Sequence, residues 1–360
     1  MTSCSNRETP FLYHTLGLSL IGMLAAARRA SHALLGACHS NGIHNYHLCL
    51  RLFESIVQPV ALYAAEAWTP WIPVGKELYD NPLDQLQLDF VRALAHLRRH
   101  TLRPAILWEF GRHSLLRHAL AAALRQHNRL LSTPGSPALH KTLFHAELRE
   151  PFIHGAPRKN KKPPLAYGER RAILLALHTW CRRLNTKFGF NLPHLHHPIT
   201  APVPANYKDT IRDFDQHYQH NLLPTALADA TRRHASTYSS WRLDFGFATA
   251  VDSLTGSPRT PSSRYSLHRF RLLNHPLPIE QLAWQLVPRD QRRCSHCPAA
   301  LGDETHFLFD CPSIQHLRLD PLYISLPFTS RSVALMSSAN PPLFGSFLAR
   351  AMTTYTRQPP

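Results

Sequence analysis

Residues 81–97, "NPLDQLQLDFVRALAHL", decide the fold class. Leu83, Leu86, Phe90, Val91, Leu94 and Leu97 recur three and four positions apart, so a helix gathers them on one side. A strand would send neighbouring positions to opposite faces and scatter them. Asn81 can cap the first turn with its side-chain oxygen. Pro82 costs nothing there, because an N–H at that place has no partner inside the helix.

The same texture extends outward. Leu116, Leu120, Ala123, Leu124 and Leu131 form a second stripe, and between the two Pro104 opens a short helix that Gly111 can close. Upstream, "HLCLRLFESIVQPVALYAAEAW" (47–68) is helical on both sides of Pro59, which should kink or break it. "LGLSLIGMLAAA" (16–27) has the length of a leader's apolar core, but Arg28 and Arg29 follow at once and the helical pattern continues, so it reads as a buried helix.

The texture changes at Ser132. "STPGSPALHKTLF" (132–144) reads as a linker and "GAPRKNKKPP" (155–164) as a solvated basic loop. A helix is expected across "GERRAILLALHTWCRRLNTKFG" (168–189) and another across "ADATRRHASTYSSWRLDFG" (228–246). "LPHLHHPITAPVPANY" (192–207) and "DSLTGSPRTPSSR" (252–264) read as irregular. His194, His196 and His197 lack the Cys or acidic neighbours that would complete a metal set. The expected organisation is therefore mainly α: a helical region over 1–131, a basic linker with helical segments over 132–263, a Cys/His-bearing region over 264–320, and a tail over 321–360.

The chain has 360 residues, and its 40 Lys and Arg against 23 acids give a net charge of +17, to which 25 histidines add as pH falls. Such a balance favours a polyanionic partner, nucleic acid before anionic membrane, with compositional drift as the bland alternative. Seven cysteines are too few and too scattered for a disulfide scaffold. They suit a reducing compartment, so a nuclear or cytoplasmic protein is expected and a secreted one is not. No apolar run is long enough to span a bilayer.

Three of the cysteines stand together in "RRCSHCPAALGDETHFLFDCP" (292–312). Cys294, Cys297, His306 and Cys311 have the spacing C-x2-C-x8-H-x4-C. Two thiolates three apart can hold one ion from a single turn, and a His and Cys five apart can reach it from a second, with Gly302 and Asp303 supplying the bend between. Three sulfurs and an imidazole in a closed tetrahedron suit zinc and leave no open position for a catalytic water, so the expected role is structural. The alternative is four unrelated core residues, with His296 and His316 as decoys.

Around this motif, "RYSLHRFRLLNHPLPIEQLAWQLVPRDQRRCSHCPAALGDETHFLFDCPSIQHLR" (264–318) resembles the C-terminal region of non-LTR (LINE-type) retrotransposon reverse transcriptases. There a stretch like "HPLPIE" leads into "RRCSHC", then "DETHFLFDC" and a closing Arg. "AARRASHALLGACHSNGI" (26–43), "LRLFESIVQPVALYAAEAW" (50–68), "LDQLQLDFVRALAHL" (83–97) and "AILWEFG" (105–111) resemble the helical thumb and post-thumb part of the same enzymes. The resemblance implies a thumb-like helical bundle that grips a template-primer duplex. It also implies a small CCHC zinc knuckle that binds nucleic acid, with Cys294, Cys297, His306 and Cys311 as ligands.

The departure from that family concerns catalysis. Polymerase chemistry needs paired carboxylates to hold two metal ions, and no two aspartates are adjacent in the chain. "YKDT" (207–210) carries Thr210 where a second carboxylate would stand, and it lies after the thumb-like part, whereas a palm precedes it. P-loop, G-x-S-x-G and H-E-x-x-H signatures are also lacking. The expectation is a non-catalytic nucleic-acid-binding fragment without fingers and palm. Arg158, Lys159, Lys161 and Lys162 of the basic loop, and Arg289, Arg292 and Arg293 beside the knuckle, are the expected phosphate contacts. The rival is a zinc-binding adaptor adopted by a host for protein interaction.

Overall fold

The computed structural model describes residues 9–132, 173–193, 195, 206–233, 261–283, 285–297, 301–326 and 341–357. They are mainly helical, and among them no strand is present. In chain order the helices are α1 (Thr9–Ser40), α2 (Tyr46–Leu52), α3 (Gln58–Ala61), α4 (Ala65–Trp68), α5 (Pro82–Leu94), α6 (Arg103–Glu109), α7 (Leu116–Ser132), α8 (Ile173–Phe188), α9 (Tyr207–His217), α10 (Leu223–Arg233), α11 (Pro261–Arg271), α12 (Pro278–Gln281), α13 (Gln315–Arg318) and α14 (Pro341–Arg357).

Several boundaries follow from single residues. Helix α5 starts at Pro82, and the Asn81 side-chain oxygen accepts from the Asp84 N–H at 3.0 Å, as the capping pattern predicts. Pro104 stands in the first turn of α6, and Gly111 follows its end at φ +58°, a conformation glycine adopts without steric cost. Pro59 interrupts as expected, in two steps. A π turn, Phe53–Val57, widens the backbone before α3, and the chain then breaks at Ala64, which takes a left-handed φ of 52°. In α1, Leu20, Leu24 and Ala27 are buried while Ile21 faces outward. No single helix among the described residues is long and apolar enough to cross a membrane.

Two compact units divide the chain, and both draw on separated segments. The expected boundaries at 131, 263 and 320 do not coincide with theirs, because helices distant in sequence share a core.

The first unit takes in residues 1–32, 53–87 and 113–222. In it α4 and α9 pack on α7, and α8 packs on the 3-10 turn Thr69–Trp71. Trp180 of α8 is buried and its indole N–H donates to the Ile72 carbonyl at 3.2 Å, so its polar edge is satisfied. Asp84 is fully buried, and its carboxylate accepts from the Asn81 amide, the Ser114 hydroxyl and the Leu115 N–H, each at 2.6 Å. Burial nevertheless outweighs those bonds and raises its pKa to about 6.

The second unit takes in 33–52, 88–112 and 223–360. The Tyr46 ring ties its three segments together, lying edge-on to Phe110 at 5.6 Å, His268 at 4.8 Å and Tyr265 at 6.3 Å. Glu109 and Arg271, both buried, approach at 3.4 Å. Helix α10 lies against α6, and α11 runs along α14. The stripe Leu343, Phe344, Phe347, Leu348, Ala351 and Tyr355 faces Leu267, Phe270, Phe307, Leu308, Ile314 and Leu317 in one apolar cluster. The tail that offers no motif in sequence thus closes the core on which the Cys/His region is built.

Candidate metal centre

The four residues singled out by spacing come together. Cys294, Cys297, His306 and Cys311 each place one ligand atom within 4.8 Å of the others, close enough to hold a metal ion. Cys294 and Cys311 are buried, with their sulfurs 3.9 Å apart. A tetrahedral ion with metal–sulfur bonds of about 2.3 Å separates two sulfurs by about 3.8 Å. The His306 Nε2 is buried and has no hydrogen-bond partner. A buried ring nitrogen without a partner, on a side chain gathered with three thiols, fits a cation site better than it fits a packed core. The donor set is compatible with zinc.

Local backbone chemistry builds this arrangement. Gly302 lets the returning chain approach, since a Cβ there would stand 3.0 Å from the Arg293 carbonyl, the Cys294 nitrogen and the Pro278 side chain. The Gly302 N–H donates to the Arg292 carbonyl at 2.8 Å, and its own carbonyl accepts from the Ile279 N–H at 3.1 Å. Asp303 then caps the following turn by accepting the His306 N–H at 2.8 Å. His306–Asp310 form a π turn, closed by the Cys311 N–H donating to the His306 carbonyl at 2.7 Å. That wider turn sets how His306 and Cys311, five apart, present their donors.

Residues without a ligand motif hold the ligands. The Tyr355 hydroxyl of α14 accepts from the Ser295 N–H at 3.4 Å and lies within hydrogen-bond reach of the Cys294 sulfur, also 3.4 Å away. The His296 N–H donates to that sulfur at 3.4 Å, and its ring nitrogen reaches the Tyr355 carbonyl at 3.0 Å. Arg318 donates to the Cys311 carbonyl at 2.6 Å and to those of Phe307 and Leu308 at 3.3 and 3.4 Å, tying off the open end of the π turn. Behind them, buried His275 bonds the buried Glu304 carboxylate at 2.9 Å.

The thiols feel one another. Burial, opposed by the Tyr355 hydroxyl and the N–H groups of His296 and Cys297, leaves Cys294 below its ordinary value. Cys297 is pushed up to about 12 by burial and by the charges of Cys311 and Cys294. Burial holds His306 low, in the neutral form a metal requires. Three thiolates this close repel unless a cation lies among them.

The basic residues expected beside the knot divide. Arg293 is exposed and Arg289 half-buried, in the turn Arg289–Gln291. Arg292 is a correction. It is buried, its Nε donates to the Val287 carbonyl at 2.9 Å, and its Nη1 donates to the Ile279 carbonyl at 3.0 Å. Its guanidinium braces the loop before Cys294 and is not presented to a phosphate. Arg158, Lys159, Lys161 and Lys162 lie outside the described residues, as do His194, His196 and His197. Nothing in the spacing of the motif marks Tyr355, and in sequence His296 stands only as a rival nitrogen beside the ligand set. The apolar stripe of α14 was the available signal that the tail belongs to the core.

No protein-family model, no curated protein and no solved structure matches the chain.

Proposed function

We propose that the chain is a non-catalytic nucleic-acid-binding protein of the kind found at the C-terminal end of non-LTR retrotransposon reverse transcriptases, with thumb-like helices and a structural zinc knuckle. The convergence of Cys294, Cys297, His306 and Cys311 on one point carries the reading, because it is the most specific part of the resemblance. The excess of 40 basic over 23 acidic residues supports a polyanionic partner. Zinc would take all four donors, and its binding energy would hold the loop 289–318 in place. Arg289 and Arg293 are the phosphate contacts proposed at the knuckle, together with Arg158, Lys159, Lys161 and Lys162.

A second reading, a zinc-stabilised adaptor for a protein partner, draws on the apolar side chains beside the knot. Leu319, Leu322 and Ile324 are 69%, 54% and 74% exposed within six residues of one another. Elemental analysis should find one zinc per chain in protein purified without chelator. Binding of labelled RNA or DNA should weaken steeply with salt and show little sequence preference. Salt-insensitive or absent nucleic-acid binding by a zinc-loaded chain would favour the adaptor.

A further inference from the structure

A second basic surface, built from residues other than the Cys/His cluster, lies in the unit made of 33–52, 88–112 and 223–360. Past the end of α5 the chain turns at His96, which takes a left-handed φ of 51°, then bends again where the Thr101 N–H donates to the Arg98 carbonyl at 3.1 Å. Asn274 fixes this turn to the end of α11. Its side chain donates to the His96 carbonyl at 3.3 Å, its N–H donates to the Arg269 carbonyl at 2.6 Å, and the Arg269 Nε returns to the Asn274 carbonyl at 3.3 Å. Tyr265, one helical turn before Arg269, lies edge-on to the His96 ring at 4.5 Å. The turn and α11 therefore bring Arg98, Arg99, Arg269 and His96 into one neighbourhood.

Acids are missing from it. Segments 33–52, 90–108 and 261–277 contain no Asp or Glu, and Arg98, Arg99 and Arg269 have no carboxylate partner among the described residues. Burial first and the Arg98 charge second lower Arg269, and the same two causes lower His100. Burial, then Arg269, His39 and His44, lower His96. Like charges crowded as Arg98 and Arg269 are cost folding free energy that an external anion would recover.

We propose that the turn 96–103 and the adjoining end of α11 bind the phosphodiester backbone of a nucleic acid, with Arg98, Arg99 and Arg269 on phosphates and His96 taking up a proton as it binds. This rests on the nucleic-acid reading above and places a contact surface where no motif marks one. Phosphate beside His96 favours the imidazolium, so affinity rises as pH falls through the histidine range.

The test uses the zinc-loaded full chain, a fluorescein-labelled mixed-sequence single-stranded RNA, and anisotropy over a salt series. Arg98→Ala with Arg99→Ala should flatten the slope of log affinity against log salt by about 1.4 to 1.8, two contacts at roughly 0.7 to 0.9 each. Arg182→Ala with Arg183→Ala, exposed on α8, should leave it unchanged. His96→Asn, which the left-handed turn tolerates, should lose most of the pH dependence. If the wild type binds and neither variant differs from it, the surface is overturned and the proposed function stands. No binding by the wild type overturns both. Tighter, arginine-dependent binding to phosphatidylserine vesicles than to RNA overturns the class of partner.

Discussion

Replacing Arg292 by Met asks whether an arginine beside the knot serves the fold or the ligand. Met keeps the length of the apolar stem and removes the guanidinium, so packing changes little and two hydrogen bonds disappear. The carbonyls of Val287 and Ile279, which accept from Arg292 at 2.9 and 3.0 Å, lose a charged donor where the side chain is buried. Each such loss costs about 1.5 kcal/mol, so the pair costs about 3 kcal/mol. Metal binding and the folding of this loop are one equilibrium. The penalty should therefore surface as weaker zinc binding, by about a hundredfold at 1.4 kcal/mol per factor of ten. Competition against a fluorescent chelator measures it, and Arg293→Met, on the exposed neighbour, should change zinc affinity less than threefold. The refuting result is zinc affinity unchanged in Arg292→Met, with the salt slope for RNA lowered by about one. That pattern would mean that Arg292 contacts phosphate after all.

Cys297→Ser should lower zinc affinity and increase hydrogen exchange across 289–318, while exchange in α5 and α7 stays as it was. A chain ending at residue 340 removes the stripe from Leu343 to Tyr355 and the Tyr355 hydroxyl beside Cys294, so it should still take up zinc but hold it more weakly in the chelator competition. Asp84 gives a pH signature in the first unit. Folded, it keeps its proton up to about pH 6; unfolded, it releases it near the ordinary 3.8. The folded state binds more protons between those values, so its contribution is most favourable below 3.8 and falls by about 3 kcal/mol as pH rises through 6. Asp84→Asn should remove that slope from urea denaturation followed between pH 4 and 7; parallel curves for variant and wild type would contradict the assignment.

Much of the helical framework was legible because its signals are local. Asn81 and Pro82 at one boundary, and Pro104 and Gly111 at two others, act through their own backbone and need no knowledge of the partner. The Cys294–Cys311 set was legible for a related reason, since ligand spacing along the chain limits which donors can meet. The fate of Arg292 was not. An arginine that braces two carbonyls and one that meets phosphate look the same in sequence, because burial is decided by distant segments. Tyr355 was hidden likewise: it stands 61 residues from the sulfur it faces. The basic turn at 96–103 carries no local mark, because Asn274, which fixes it to α11, stands 178 residues from His96.

The interleaving of the second unit has a consequence for its birth on the ribosome. Tyr46 and Phe110 are made early, yet the core that they share with Tyr265 and His268 is closed by α14, which ends at Arg357. At roughly 5 to 20 residues per second, on the order of 10 to 50 seconds pass between synthesis of the 88–112 segment and completion of that helix. During that interval the early apolar surfaces have no native partner, and Cys294, Cys297, His306 and Cys311 can meet an ion before the helix that supports them exists. Metal capture by the nascent chain would then precede closure of the core, and the knot would serve as a nucleus on which the last helix condenses.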